Sequence, residues 1–133
     1  MRILVTGNIG YLAPVLSRQL RIDFPGAALC LANAAAPPEV RFDAQRFGDT
    51  RGILPGLLLG MDTVVHQAAI SDDPMGSRYE TVTREINQDA SIESATLASR
   101  AGVKSFVFAS STYGFAESGA RREDHPVRGA PTS

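Results

Sequence analysis

Short apolar runs alternate along the chain with stretches whose apolar positions recur every three or four residues. Ile3-Leu4-Val5 is a continuous apolar run, as expected for a strand buried on both faces. Gly7 and Gly10 interrupt it, and Leu12, Val15, Leu16 and Leu20 then follow at helical spacing. Pro14 falls in the first turn of that helix, where its missing N–H costs little. Pro25-Gly26 closes this unit, and residues 28–31 form a second apolar run. Residues 33–38 are small and end in two prolines, so they read as loop. Residues 40–43 are a third strand candidate. Residues 51–59 suggest a short helix, weakened by Gly52, Pro55 and Gly56. A fourth strand is predicted over residues 63–67, centred on Val64 and Val65. From about Met75 to Arg100 runs the longest helical pattern, with Tyr79, Val82, Ile86 and Ala90 along one side and Gly102 as its stop. A fifth strand, residues 105–110, is built on Phe106-Val107-Phe108. Strands and helices alternate and no hairpin signal appears. The pattern therefore predicts an α/β fold, a doubly wound parallel sheet in the order 3-2-1-4-5 with right-handed crossovers.

Composition narrows the class. The chain has 133 residues, enough for one domain, which spans residues 1–133 with a polar segment from about residue 115. Its 44% hydrophobic content is that of a globular protein rather than a disordered one. Thirteen basic and 14 acidic residues give a formal charge of -1, so no global field favours nucleic acid or an anionic membrane. No apolar run reaches the roughly 18 residues of a membrane span. One cysteine, Cys30, excludes an intrachain disulfide, and its apolar strand suggests plain core packing. The expected location is cytoplasmic.

The chemistry concentrates in Thr6-Gly7-Asn8-Ile9-Gly10-Tyr11-Leu12-Ala13, directly after the first strand and opening the first helix. A glycine at such a turn can take a backbone conformation closed to other residues. A second lets a pyrophosphate approach a helix N-terminus, where unpaired N–H groups and the helix dipole hold an anion. Ala13 is small enough for close helix–strand packing. Many dinucleotide sites carry an acidic residue about 20 residues further on, to bond the adenosine ribose. Here Ala32 and Asn33 hold that place, and Asn33 offers only an amide. NAD is the expected cofactor, with NADP not excluded.

These residues resemble the extended short-chain dehydrogenase/reductases, in particular the NAD-dependent epimerases and dehydratases of nucleotide sugars. Met1-Arg2-Ile3-Leu4-Val5-Thr6-Gly7 with Gly10-Tyr11 is similar to the family's opening. Gly48-Asp49 resembles its Gly-Asp pair, which implies that Asp49 reaches the adenine amine. Val64-Val65-His66-Gln67-Ala68-Ala69 resembles a segment lining the cofactor, with Ala68 and Ala69 towards the nicotinamide half. Asn87 matches a long-helix asparagine that orders the active site. Phe106-Val107-Phe108-Ala109-Ser110-Ser111 resembles the fifth-strand segment carrying the catalytic serine or threonine, which makes Thr112 the nearest candidate hydroxyl. The resemblance implies a Rossmann-like fold, a cofactor site at Gly7, Asn8, Ile9, Gly10, Asn33, Asp49, Ala68, Ala69 and Asn87, and a nucleotide-sugar substrate in a complete form. It also implies a homodimer through the helix over residues 75–100.

Two departures bear on activity. The segment between the serine pair and Tyr113-Gly114 is short for the family. The family's chemistry also needs a tyrosine with a lysine four residues on, which lowers the phenol's pKa for proton transfer. The residues four beyond Tyr11, Tyr79 and Tyr113 are Val15, Thr83 and Glu117, and Lys104 is the only lysine. The expectation is an NAD(P)-binding module that ends before the catalytic Tyr/Lys helix and is not catalytic as an isolated chain. Two alternatives stand beside it: an enzyme part completed by a C-terminal portion or another chain, and a non-catalytic interaction module with a vestigial site. His66 reads as core or cofactor-lining. Asp72 and Asp73 cannot supply the six or more oxygens of a hard-cation site, and no metal is expected.

Overall fold

The computed structural model describes residues 1–7, 10–32, 44–46, 48–53, 55–71 and 78–109. Five parallel strands form one sheet in the order β3-β2-β1-β4-β5. They are β1 (Arg2–Thr6), β2 (Ala28–Ala32), β3 (Ala44–Arg46), β4 (Thr63–His66) and β5 (Ser105–Phe108). The helices are α1 (Ala13–Asp23), a short α2 (Pro55–Leu58), α3 (Glu80–Arg84) and α4 (Ala90–Arg100). A single π-helical turn, Glu85–Asp89, joins α3 to α4.

The central strand explains the layering. Successive side chains of β1 point to opposite faces. Ile3 and Val5 join Ala27, Leu29 and Val65 in one core, against which Leu16 and Leu20 of α1 pack. Leu4 enters a second core with Cys30, Leu58, Met61, Val64 and Ala98. Both faces of β1 are therefore covered, and its unbroken apolar run follows from that. Cys30 is a buried free thiol in this second core.

Three sequence expectations are corrected, and a fourth falls outside the described residues. The third strand was expected at residues 40–43, which lie outside the described residues, while β3 is Ala44–Arg46. Ala-Gln-Arg carries no strand signal. It becomes a strand by pairing with β2, Cys30 against Ala44 and Ala32 against Arg46, an effect of context over propensity. The predicted helix over residues 51–59 is split into a 3-10 turn, Thr50–Gly52, and α2.

The other two corrections concern which helix face is buried. On α1, Leu12 and Val15 are 64% and 70% exposed, while Ala13 and Ser17 are buried beside the partly buried Leu16 and Leu20. On the long helix, Tyr79 and Val82 are exposed, and the buried positions are Thr83, Ala90, Ser91, Ser94 and Ala98. The reason is the same in both. A helix laid close on a twisted sheet needs small side chains at the contact, so Ala, Ser and Thr go inward although the apolar count points elsewhere. Gly102, with φ +78°, follows α4 and donates to the Ser99 carbonyl at 3.1 Å, the stop expected of it.

Candidate functional site

The strand order creates the site. From β1 the chain crosses to β2, and from β4 it crosses to β5, on the other side of the sheet. The connections leaving the C-terminal ends of β1 and β4 thus diverge, which opens the crevice where doubly wound sheets hold ligands. Thr6 and His66 are register partners at those ends.

Gly7 forms one wall. Its φ is +72°, a conformation that glycine takes without a Cβ penalty. A Cβ there would lie 2.5 Å from both the Gln67 carbonyl carbon and the Ala68 nitrogen, so the turn after β1 sits directly on the turn after β4. The Gly10 N–H donates to the Gly7 carbonyl at 3.0 Å, and the Ala13 N–H to the Gly10 carbonyl at 3.2 Å. These two hydrogen bonds link Gly7, Gly10 and the start of α1. Among the described residues no side chain caps that helix, and no acidic residue lies in its first turn. Its N-terminal field is left for an external anion. Asn8 and Ile9 lie outside the described residues.

The second wall is the segment after β4. Ala68 is half-buried and Ala69 exposed. Asn87 holds this segment in place: the Ile70 N–H donates to Asn87 Oδ1 at 2.8 Å, and Asn87 Nδ2 donates to the Ile70 carbonyl at 2.8 Å. One side-chain amide thus satisfies both polar groups of one backbone residue, as a neighbouring strand would. Asn87 is at the middle of the π turn, a feature that often marks functional sites.

Asp49 caps the 3-10 turn and is hydrogen-bonded by Arg51. The Arg51 N–H donates to Asp49 Oδ1 at 2.9 Å, and Arg51 Nε to Oδ1 and Oδ2 at 3.1 and 3.0 Å. Arg51 Nη1 also donates to Glu85 Oε2 at 3.0 Å, which joins the turn to the start of the π segment. The guanidinium hydrogen bonds hold the Asp49 carboxyl below the usual carboxylate range. Arg51 and Glu85 carried no motif, so the sequence reading missed them. Nearby, Thr50 Oγ1 and Gln67 Oε1 are buried with no hydrogen-bond partner among the described residues.

His66 is fully buried at the head of the crevice. Thr6 Oγ1 lies 2.9 Å from its Nδ1 and Ser91 Oγ 3.1 Å from its Nε2. Burial pushes the imidazole pKa down, which favours the neutral ring. The sequence reading named His66 but not its partners. The register match of Thr6 with His66 was the available signal for one, and nothing pointed to Ser91.

Lys104 is engaged elsewhere. Its Nζ donates to Asp62 Oδ1 at 2.9 Å, and Asp62 also accepts from the Arg2 N–H at 2.8 Å. Lys104, Asp62 and Arg2 stand at the N-terminal ends of β5, β4 and β1, the sheet edge opposite Gly7. Asn33 and Thr112 lie outside the described residues. Among the described residues no group of three or more His, Cys, Asp or Glu side chains could hold a metal ion, and no helix is long and apolar enough to cross a membrane.

A turn shaped by Gly7 and Gly10 ahead of an uncapped helix fits a dinucleotide pyrophosphate. Compared with known families, residues 3–133 match the NAD dependent epimerase/dehydratase family. The chain belongs to that family. Among solved structures, MoeE5 in complex with UDP-glucose and NAD is 24% identical, with a TM-score of 0.83 over 99% of this chain and 44% of that one. A short-chain dehydrogenase/reductase superfamily protein from Agrobacterium tumefaciens with bound NAD is also 24% identical, with a TM-score of 0.79 over 99% of this chain and 40% of that one. A UDP-glucuronic acid 4-epimerase mutant from Bacillus cereus, in complex with UDP-4-deoxy-4-fluoro-glucuronic acid and NAD, is 21% identical, with a TM-score of 0.78 over 99% and 48%. At these identities the structures establish the fold. This epimerase/dehydratase-family chain spans less than half the length of each. A search of curated proteins finds no match.

Proposed function

We propose that this chain is the dinucleotide-binding part of a nucleotide-sugar epimerase or dehydratase and that it binds NAD in the crevice between β1 and β4. The observation that carries the reading is Gly7, whose left-handed turn seats the β1 loop on the Gln67–Ala68 backbone and aims the chain at an uncapped helix. Gly7, Asn8, Ile9 and Gly10 would surround the pyrophosphate. Asp49 would meet the adenine, with Asn33 near its ribose, and Ala68 and Ala69 would face the nicotinamide half, held there through Asn87. NAD supplies hydride acceptance when bound; this chain supplies the cradle. Thr112 is the hydroxyl we assign to orienting the sugar. That similar structures are complexes with UDP-glucose or a UDP-glucuronic acid analogue favours that substrate class.

Calorimetric titration with NAD and NADP tests the reading. Binding of NAD by the wild type, abolished in Gly10→Val, is the expected result. A Cβ at Gly10 would already lie 3.3 Å from the Gly7 carbonyl, and a branched one would take the phosphate's space. Failure of both nucleotides to bind at millimolar concentration would make the site vestigial. The chain also pairs with a second copy through its long helix in this reading. The pairing rests on the family resemblance; Tyr79 and Ile92, 47% and 60% exposed on that helix, would be covered by it. A strictly monomeric species in sedimentation at high protein concentration would refute the pairing.

A further inference from the structure

His66 is fully buried and stands between the two walls of the crevice. Its ring is stacked against Phe106 and Phe108, with centroids 5.8 and 6.1 Å away, so β5 fixes its plane. Its two nitrogens face Thr6 and Ser91. Each of these hydroxyls belongs to a different wall. Thr6 immediately precedes Gly7, the residue seated on the Gln67–Ala68 backbone. Ser91 lies one helical turn beyond Asn87, which clamps Ile70. The backbone closes the same circuit, since the Gln67 N–H donates to the Thr6 carbonyl at 3.2 Å.

The chemistry of the ring makes the two contacts dependent on one another. A neutral imidazole has one donor nitrogen and one acceptor nitrogen, whereas a hydroxyl can play either part. If Thr6 donates to Nδ1, then Nε2–H donates to Ser91; if Thr6 accepts, Ser91 must donate. Removing either hydroxyl leaves a buried ring nitrogen without a partner, in a place that water does not reach.

We propose that His66 is a positioning residue that couples the glycine turn to the 67–70 segment, so that neither wall of the crevice moves independently of the other. The inference rests on reading that crevice as the NAD site.

Amide hydrogen exchange in the unliganded chain tests the coupling, with the Gly10 amide reporting on one wall and the Ile70 amide on the other. Leu4, in the centre of β1, controls for global opening. Thr6→Val removes a hydroxyl while keeping the side chain's shape, Ser91→Ala removes the other, and Thr6→Ser keeps it. Thr6→Val is expected to speed exchange at Ile70 as well as Gly10, and Ser91→Ala at Gly10 as well as Ile70, each by about fivefold or more relative to Leu4. NAD affinity should fall by a similar factor in both, and Thr6→Ser should match the wild type in exchange and affinity. Exchange that changes only on the wall nearest each substitution, or on neither, overturns the proposal. Should one variant not fold, the cross-wall amide in the other decides. A wild type that fails to bind NAD refutes the functional reading, while the exchange results still decide the coupling.

Discussion

At Gly7 the backbone conformation and the available space demand the same residue. Any side chain there would be held at a positive φ and driven into the Gln67–Ala68 backbone at 2.5 Å, which cannot move without opening the end of β4. A non-glycine residue in the left-handed region costs of order 1–3 kcal/mol before any clash. Gly7→Ala should therefore lower stability by at least about 2 kcal/mol, measured by urea unfolding. An unchanged midpoint would mean that the turn relaxes freely. Gly26, Gly52 and Gly56 meet nothing within 4 Å and impose no such demand.

His66 makes stability depend on pH in a defined direction. Burial holds its folded-state pKa below the ordinary value of 6.5. Below that value the unfolded chain takes up a proton that the folded chain refuses, so stability falls as pH drops. Above it both states are neutral and this contribution is constant. No described carboxylate bonds the ring, as both its partners are hydroxyls. Unfolding midpoints should hold level above about pH 6.5 and decline towards pH 5, and His66→Gln should remove most of the decline. Asp49 and Asp62, both held below the usual range, lose their contributions only at lower pH, which keeps the windows apart. Equal declines in the two proteins would assign the effect to other groups.

Among the elements, the long helix is the most informative. The π turn Glu85–Asp89 carries Glu85, which meets Arg51, and Asn87, which clamps Ile70. One irregular turn thus ties the turn at Asp49 to the segment at Ala68. Asn87→Ala removes both hydrogen bonds to Ile70 and leaves two half-buried backbone groups to find water. At about 0.5–1.5 kcal/mol for each bond, a loss of about 1–3 kcal/mol is expected, with weaker NAD binding. Calorimetry and thermal unfolding on the same variant would check both, and unchanged NAD affinity would remove Asn87 from the site. The apolar count misjudged this helix because a close sheet contact selects for size. Of the expected stripe Ala90 is buried but Tyr79 and Val82 are exposed, while Ser91, Ser94 and Ala98, outside that stripe, are buried.

For the whole molecule, the absence from the sequence of a tyrosine with a lysine four residues on predicts a cofactor cradle without a lysine-assisted tyrosine base. Lys104, the only lysine, is paired with Asp62 at the far edge of the sheet and cannot serve a tyrosine near Gly7. Loss of general-base help typically costs a factor of 10² to 10⁴, and poor substrate positioning adds to that. The purified chain with NAD and UDP-, GDP- or dTDP-sugars should turn over more slowly than about 0.01 per second, followed at the NADH absorbance and by product chromatography. Faster turnover that survives removal of contaminating host enzyme would show that another group does the base's work.

The sequence by itself determined the sheet order, the crevice and the glycine turn. Parallel topology follows from alternating buried runs and helical stretches, and a strand–glycine–helix junction has few physical solutions. Ile3-Leu4-Val5, Gly7, Ala13 and Gly102 could be read because their constraints are local: burial on both faces, a positive φ, a close helix contact, a helix stop. The tertiary structure alone decided the rest. β3 forms because β2 offers it an edge, although its residues have no strand preference. Arg51 meets Glu85 across 34 positions of the chain, and His66 meets Thr6 and Ser91 across 60 and 25. Such contacts leave no periodicity or spacing in the sequence. They are set by how closely the long helix lies on the sheet, and that distance depends on every small side chain packed between them.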